Sequence, residues 1–238
     1  MTAMQSGAGE ASWTVGNAIS TAGAILISHF AAFFGTALVA SLPSLVFDIL
    51  VPDSPLHSIV DLIVGQIVSV TLVYGSMQAL RGQQVAVGEC LSQGMKRLGA
   101  ALGVAILSGI GIFFGMILLI VPGLILATMW AVAVPVAVIE EMGVTASLGR
   151  SQQLTSGRRW RVFGAYLLTL LITVVGGAIV GGVVGVMAGV SSSIFLIAVW
   201  AFVALTQAFS SCVFTTLYYY LRREKEGVDI HQIAAVFD

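Results

Sequence analysis

The chain has 238 residues, of which 58% are hydrophobic and only 9% are charged. Soluble domains contain about 45–50% apolar and about 25% charged residues, so this composition excludes a soluble globular domain and predicts an integral membrane protein. The formal net charge of −1 gives no reason to expect a nucleic acid or another polyanion as a partner.

Six apolar segments follow one another along the chain, each about 20 residues long, which is the length that crosses a hydrocarbon core of roughly 30 Å. The apolar run 98–141 is too long for one span, and Val121-Pro122-Gly123 in its middle is a turn signal that divides it into a hairpin. The predicted fold class is all-α, a polytopic membrane helix bundle forming one domain over residues 1–238. The predicted spans lie near 29–50, 58–80, 98–120, 122–141, 162–187 and 192–221.

A short amphipathic segment precedes each pair of spans, and these segments are predicted to be surface helices near 13–27, 85–97 and 143–160. The first two begin with the similar sequences VGNAIS and VGECLS, and the third begins with the looser copy GVTASL. The chain is therefore predicted to consist of three units, each a surface helix followed by a membrane hairpin. Internal repeats occur in transporters, but duplication of a hairpin would produce the same parallel pattern without any transport role.

The ten Lys and Arg residues are confined to three regions: between the second and third spans, between the fourth and fifth, and after the sixth. Such residues are concentrated in cytoplasmic loops of membrane proteins. We therefore expect both termini and the surface helices to be cytoplasmic. The residues are Arg81, Lys96, Arg97, Arg150, Arg158, Arg159, Arg161, Arg222, Arg223 and Lys225.

Glycines recur every four residues along the fifth predicted span, at Gly177, Gly181, Gly185 and Gly189. This spacing places them on one face of a helix, and small residues let helices approach closely within a membrane. The stripe is interpreted either as packing inside the monomer or as an interface with a second copy or a partner protein.

Basic and aromatic residues cluster where the chain is predicted to cross the membrane surface. Such residues anchor spans at the interface, and the same cations can bind anionic lipid headgroups. Membrane lipids are thus expected partners. The candidate residues are Arg158, Arg159, Trp160, Arg161, Arg222 and Arg223.

Glu140 stands at the inner end of the fourth predicted span, where an ionisable side chain is a candidate for a structural or functional role. An ion pair with Arg150 or Arg158 would clamp the third surface helix against this span. Pro43 and Pro135 lie inside apolar runs, and each is predicted to kink or break its helix because proline removes a backbone donor.

Polar side chains form two stripes along the sixth predicted span. Their helical spacing is typical of hydrogen bonds between membrane helices, with a water-lined path as the alternative. Asp48 and Asp61 flank the first outer loop and are interpreted as interfacial carboxylates. The two stripes of the sixth span are Thr206 with Ser210, and Gln207 with Ser211 and Thr215.

No catalytic or metal-binding motif is found in the sequence. The three histidines are far apart, and HExxH, CxxC, GxSxG and glycine-rich phosphate loops are absent. Catalytic, metal-binding and cofactor-binding residues are therefore not predicted, and the chain is not expected to be an enzyme. Cys90 and Cys212 lie in different regions and are not expected to form a disulfide.

Several motifs occur in an order that resembles the bacterial YciC-like membrane family, which overlaps the membrane domain of glycerophosphoryl diester phosphodiesterases. They are Val121-Pro122-Gly123, Pro135, Glu140, Arg150-Ser151, Gly157-Arg158, Trp160-Arg161, Tyr219, Leu221-Arg222 and Lys225-Glu226-Gly227. The resemblance covers nearly the whole chain and implies a six-span protein of the bacterial inner membrane. It implies no enzymatic activity, because the catalytic domain that some relatives carry has no counterpart here.

The leading functional expectation is a non-enzymatic scaffold or accessory subunit that packs with itself, with lipids or with a larger membrane complex. The alternative is a small transporter or channel for a lipid-like or amphiphilic solute, which would use the proline kinks and the polar face of the sixth span. A membrane-embedded lipid enzyme is a third interpretation, but a reactive group to support it is lacking. A cavity that reaches the middle of the membrane and is lined by Ser, Thr, Gln or a carboxylate would favour the transporter, whereas a dry bundle would favour the scaffold.

Overall fold

The computed structural model describes residues 13–51, 54–187 and 192–227, and these residues form helices joined by short connections. In chain order the helices are α1 (Val15–Ser28), α2 (Phe30–Leu50), α3 (His57–Leu80), α4 (Val87–Leu118), α5 (Ile120–Met129), α6 (Ala133–Ile139), α7 (Val144–Thr155), α8 (Arg159–Met187) and α9 (Ser192–Glu226). Strands are absent from these described ranges. The all-α prediction is confirmed.

Six helical segments within the described part of the chain are long and apolar enough to cross a membrane. This finding confirms the predicted multi-pass membrane protein. The segments are Phe30–Leu50, His57–Leu80, Val87–Leu118, Ile120–Ile139, Arg159–Val186 and Phe195–Glu226.

The helix α1 begins where Thr14 accepts a hydrogen bond at its Oγ1 from the backbone nitrogen of Asn17, at 3.2 Å. Such a cap satisfies one of the free N–H groups at a helix start. The helix packs against α8 and α9, and the Thr21 and Tyr220 hydroxyls are 3.1 Å apart. The first predicted surface helix is therefore docked on the bundle through one side.

The second predicted surface helix, near 85–97, requires a correction because it is continuous with the third span in α4. Proline is absent from Val87–Leu118, so the backbone hydrogen bonds of α4 need not stop at the membrane surface. Gly94 also holds this part of α4 against α3, since a Cβ on Gly94 would lie 3.1 Å from the backbone of Val70 and Thr71.

The turn between the third and fourth spans also differs from the prediction, because it lies at Leu119 and not at 121–123. Pro122 stands in the first turn of α5, where a backbone N–H would have no partner within the helix and its loss costs little. The close approach of α4 and α5 depends on glycine: a Cβ on Gly123 would lie 2.8 Å from the Met116 backbone nitrogen.

The two internal prolines behave differently. The fourth span is interrupted between Met129 and Ala133, shortly before Pro135, as predicted. The Pro135 ring has no N–H and would clash with the carbonyl four residues earlier, which accounts for the position of the break. Pro43 does not break its helix: α2 runs without interruption from Phe30 to Leu50.

The centre of the bundle is formed by α3 and α9, which contact each other and most of the remaining helices. Their buried apolar side chains belong to two clusters of the core, one around Tyr218 and the other around Cys212. By contrast, only 6% of the most apolar stretch of α8 is buried by the rest of the chain, compared with 44% of the most apolar stretch of Ile120–Ile139. The α8 helix therefore lies at the periphery.

Candidate functional site

A cavity of about 380 Å³ lies between α2, α3 and α9, and we call it the carboxylate cavity because Asp48 and Asp61 line it. Its lining residues recur at helical spacing, so one face of each helix contributes. They are Ala37, Ser41, Ser44, Leu45, Asp48 and Ile49 on α2; Asp61, Val64, Gly65 and Val68 on α3; and Leu196, Val199, Trp200, Val203, Ala204 and Gln207 on α9.

The polar groups of the carboxylate cavity are held by contacts between neighbouring helices. The Ser44 hydroxyl donates a hydrogen bond to Asp61, and Nε2 of His57 contacts the Asp48 carboxylate. Nε1 of Trp200 donates to the backbone oxygen of Ser41 at 3.4 Å. These contacts fix both carboxylates and the indole ring at the wall of the cavity.

A second cavity, of about 470 Å³, lies between α3, α4, α5, α6, α8 and α9, and we call it the hydroxyl cavity. Its polar wall belongs mainly to α9, and the interrupted backbone before Pro135 lies at its side. The lining residues are Ser69, Val73, Ile112, Ala127, Trp130, Ala131, Val134, Pro135, Tyr166, Thr173, Thr206, Gln207, Ser210, Ser211 and Phe214.

Gln207 lines both cavities. Its Nε2 donates a hydrogen bond of 2.8 Å to the backbone oxygen of Gly65. A Cβ on Gly65 would lie 3.8 Å from Nε2, an ordinary van der Waals distance, so this hydrogen bond does not require a glycine. The side chain therefore stands between the two cavities and is tied to the neighbouring helix.

Glu140 and Arg150, the predicted clamp, form an ion pair in which Nε of Arg150 lies 2.8 Å from Oε2 of Glu140. The Glu140 side chain is only 7% exposed, and it also accepts a hydrogen bond of 2.9 Å from the Tyr218 hydroxyl. Glu226 pairs with Arg150 and with Arg222. Two carboxylates and two guanidinium groups thus join the α6–α7 connection to the end of α9.

The pKa of Arg150 is raised above its ordinary value by this network. Burial by itself disfavours the charged guanidinium, but the hydrogen bonds and charges of Glu140 and Glu226 outweigh that effect. The cation is thus fixed in its charged form, which suits a structural ion pair rather than a proton-transfer group.

The six predicted anchor residues divide into two sets. Arg158 and Arg161 both donate to Oε1 of Glu224, at 2.7 and 3.4 Å, so Arg158 is not the partner of Glu140. Arg222 belongs to the Glu140 network. The exposed members are Arg159, Arg223 and Trp160, whose side chain is 86% exposed. These three fit the anchoring and lipid-binding hypotheses best.

The glycine stripe of α8 is only partly in contact with the rest of the bundle. A Cβ on Gly177 would lie 3.2 Å from Cε1 of Phe202, whereas a Cβ on Gly181 or Gly185 would meet nothing within 4 Å. Gly189 lies outside the described residues. Packing within the monomer therefore explains Gly177 but not Gly181 and Gly185.

Sequence reasoning identified part of the cavity lining and missed the rest. The polar stripes of the sixth span supply Thr206, Gln207, Ser210 and Ser211 to the hydroxyl cavity, as the water-lined alternative requires. Trp200 was missed, although Trp200, Ala204 and Gln207 recur at i, i+4 and i+7. Trp130, Ser41, Ser69 and Tyr166 carry no comparable pattern.

Groups of three or more His, Cys, Asp or Glu side chains that could hold a metal ion are absent from the described residues. Cys90 and Cys212 are both buried and free. The Cys90 thiol donates to Oε1 of Gln78 at 3.1 Å, and the Ser76 hydroxyl donates to Sγ of Cys212 at 3.4 Å. The two thiols thus belong to separate hydrogen-bonded pairs.

No protein-family model, curated protein or solved structure matches this chain. The YciC-like resemblance stays a prediction from the order of motifs.

Proposed function

We propose that this protein is a small transporter or channel that carries a polar or amphiphilic solute across the membrane through the two cavities. The observation that carries the proposal is that both cavities are lined by the same helix, α9. The carboxylate cavity begins at Leu196, the hydroxyl cavity ends at Phe214, and Gln207 lines both. At 1.5 Å per residue this lining spans about 27 Å, close to the roughly 30 Å of a hydrocarbon core.

The chemistry of the hydroxyl cavity supports the same function. Hydroxyl and amide side chains can replace part of a solute's hydration shell without introducing a charge into the membrane. The helix is interrupted at Trp130–Val132, which places non-helical backbone N–H and C=O groups beside the same cavity. Irregular backbone at membrane depth is tolerated where it is buried in protein or lines a cavity.

Gln207 is proposed to be the gate between the cavities. Its hydrogen bond to the Gly65 backbone holds the amide where both cavities contact it, and under this proposal a solute that moves from one cavity to the other displaces it. The amide can bond to the solute while its bond to Gly65 is broken, which lowers the cost of opening.

A flux assay with purified protein in liposomes tests this function. Light scattering after an osmotic step, with glycerol, urea or choline chloride as the solute, should show faster relaxation than in protein-free liposomes. Gln207→Leu should reduce the rate at least tenfold, because leucine cannot bond to the solute. Val174→Leu is the matched control, since Val174 lies on α8 and is 60% exposed away from both cavities. Relaxation equal to that of protein-free liposomes for all three solutes would overturn the proposal.

Self-association is a second candidate function, and the open face at Gly181 and Gly185 favours it. Two copies of α8 could approach closely along these small residues. Crosslinking of a Gly181→Cys variant in native membranes should then give a dimer, and Gly181→Leu should shift the protein to the monomer in gentle detergent. A monomer at every concentration would exclude this role.

A further inference from the structure

The carboxylate cavity contains two carboxylates and no Lys or Arg among its lining residues to balance them. It is lined by Asp48 and Asp61, while α2 and α3 contain no Lys or Arg, and the first such residue of α9 is Arg222, fifteen positions beyond Gln207. His57 contacts Asp48. Asp61 is exposed and the Asp48 side chain is 39% exposed, so a cation from outside the chain can reach both carboxylates.

The remaining walls of this cavity select among cations. Trp200 presents an indole whose position is fixed by its hydrogen bond to the Ser41 carbonyl, and tryptophan is the aromatic side chain that attracts cations most strongly. Val64, Val199 and Val203 give an apolar surface beside it. Because the described residues offer no three-ligand metal cluster, this combination fits an organic ammonium better than a metal ion.

We propose that the carboxylate cavity binds an ammonium group, with Asp61 and Asp48 opposite its charge and Trp200 against its alkyl substituents. The volume of about 380 Å³ falls within the roughly 300–1,000 Å³ of small-molecule sites. The ammonium belongs either to a small free amine or to the headgroup of a zwitterionic lipid. The inference rests on the proposed function, since this cavity is one half of the path, but binding is measured separately from flux.

Calorimetric titration of the full chain in maltoside detergent tests the binding. Choline chloride is the probe, and 3,3-dimethylbutan-1-ol, which has the same shape without the charge, is the control ligand. We expect saturable binding of choline and none of the neutral alcohol. Asp61→Asn should weaken choline binding at least tenfold, and Trp200→Leu should weaken it more than Trp200→Phe.

Two further variants separate charge from folding. Glu141→Gln also removes one negative charge, but at the end of the bundle that carries Arg97, and should bind choline as the unmodified chain does. Val39→Leu on α2 changes a side chain that is 66% exposed and does not line this cavity, so it should retain binding. Equal titration heats for choline and the neutral alcohol, or unchanged affinity in both Asp61→Asn and Asp48→Asn, would overturn the inference.

Nanodiscs distinguish the two sources of the ammonium. If the source is a lipid, phosphatidylethanolamine should lower the apparent choline affinity relative to discs of phosphatidylglycerol alone, and should co-purify with the unmodified chain but not with Asp61→Asn. If the source is a free amine, choline affinity should be equal in both discs. Choline binding without flux of any solute would refute the transport proposal only. Flux with no choline binding would refute the ammonium inference only.

Discussion

At the scale of single residues, the Glu140 carboxylate is a buried charge that depends on its hydrogen-bond partners. Its side chain is 7% exposed and accepts hydrogen bonds from Arg150 and Tyr218. A carboxylate so placed is stabilising only while its partners remain, because removal of one partner leaves a buried charge unpaired.

Glu140→Gln should destabilise the protein by about 1.5–3 kcal/mol, the range for hydrogen bonds to charged groups. Glutamine keeps one acceptor oxygen but leaves Arg150 with less compensation. Reversible unfolding in mixed micelles, followed by circular dichroism, measures the difference. The neighbouring Glu141→Gln is the control, because the Glu141 side chain is 47% exposed and its ion pair with Arg97 is at the surface, where such pairs contribute about 0–1 kcal/mol.

A double-mutant cycle with Arg150→Met sharpens this test. If the pair acts as a clamp, the loss in the double variant should be smaller than the sum of the two single losses. Additive losses would show that Glu140 and Arg150 contribute independently, and equal stability of the Glu140→Gln and unmodified chains would contradict the clamp altogether.

The lining residue Trp130 is positioned by a glycine on a different helix. A Cβ on Gly111 would lie 2.5 Å from Cζ3 of Trp130, so Gly111→Ala has to displace this indole, which lines the hydroxyl cavity. We expect solute flux in the liposome assay to fall several-fold, with an overpacking cost of about 1–3 kcal/mol.

Gly109→Ala, two residues earlier on α4, is the control for Gly111→Ala. A Cβ there meets nothing within 4 Å, and alanine in a helix interior is favoured over glycine by roughly 0.5–1 kcal/mol. Flux should therefore be unchanged and stability equal or higher. The same loss of flux in both variants would place the effect in the helix backbone and not in the cavity.

Only the local part of these residue environments could be predicted from the sequence. Glu140 and Arg150 are ten positions apart across one connection, so their pairing follows from the predicted end of a span and the helix after it. Tyr218 and Glu226 come from α9, more than 70 residues away, and charge pattern alone does not decide which distant residues meet. The pairing of Arg158 with Glu224 could not be predicted for the same reason.

At the scale of elements, the hairpin of α4 and α5 depends on close backbone contact. Gly123→Ala would bring a methyl group to 2.8 Å from the Met116 nitrogen, and backbone atoms cannot rotate away as a side chain can. We expect a loss of about 1–3 kcal/mol in the same unfolding assay. The matched control is Gly99→Ala on α4, where a Cβ meets nothing within 4 Å. Equal stabilities for the two variants would contradict tight packing at this turn.

The spans were predictable because length and hydropathy are properties of each segment by itself. The connections between the spans were harder to predict from the sequence. Pro122 predicts a turn but is equally compatible with the first turn of a helix, and the structure has the latter. The amphipathic pattern near 85–97 predicts a surface helix, yet periodicity contains no signal for whether the helix ends before the apolar run or continues through it.

At the scale of the whole molecule, the distribution of Lys and Arg predicts which side of the membrane each connection faces. We expect Gln152→Cys on α7 to be cytoplasmic and Ser58→Cys on α3 to be external, and both positions are exposed. In a background with Cys90 and Cys212 replaced by alanine, a membrane-impermeant maleimide should label Ser58→Cys in intact cells, and Gln152→Cys only after the cells are opened. The reverse pattern would invert the predicted orientation.

The two cavities could not be predicted from the sequence. Their polar lining on α9 was visible as stripes, but whether such a stripe contacts a neighbouring helix or a void depends on how α3, α8 and α9 pack. These helices are separated by up to about a hundred residues of chain, and small apolar side chains permit many packings with similar burial.

The uninterrupted α4 gives the molecule a mechanical property. With 32 residues it is about 48 Å long, so its first turns project beyond a hydrocarbon core of about 30 Å and remain rigidly connected to the rest. Lys96 near that projecting end and Gly111 beneath the Trp130 ring are then two points on one rod, roughly 22 Å apart. Because Gly94 packs the first turns of α4 against α3, we expect a shift of α3 against this end of α4 to reach the contact between Gly111 and Trp130 as well.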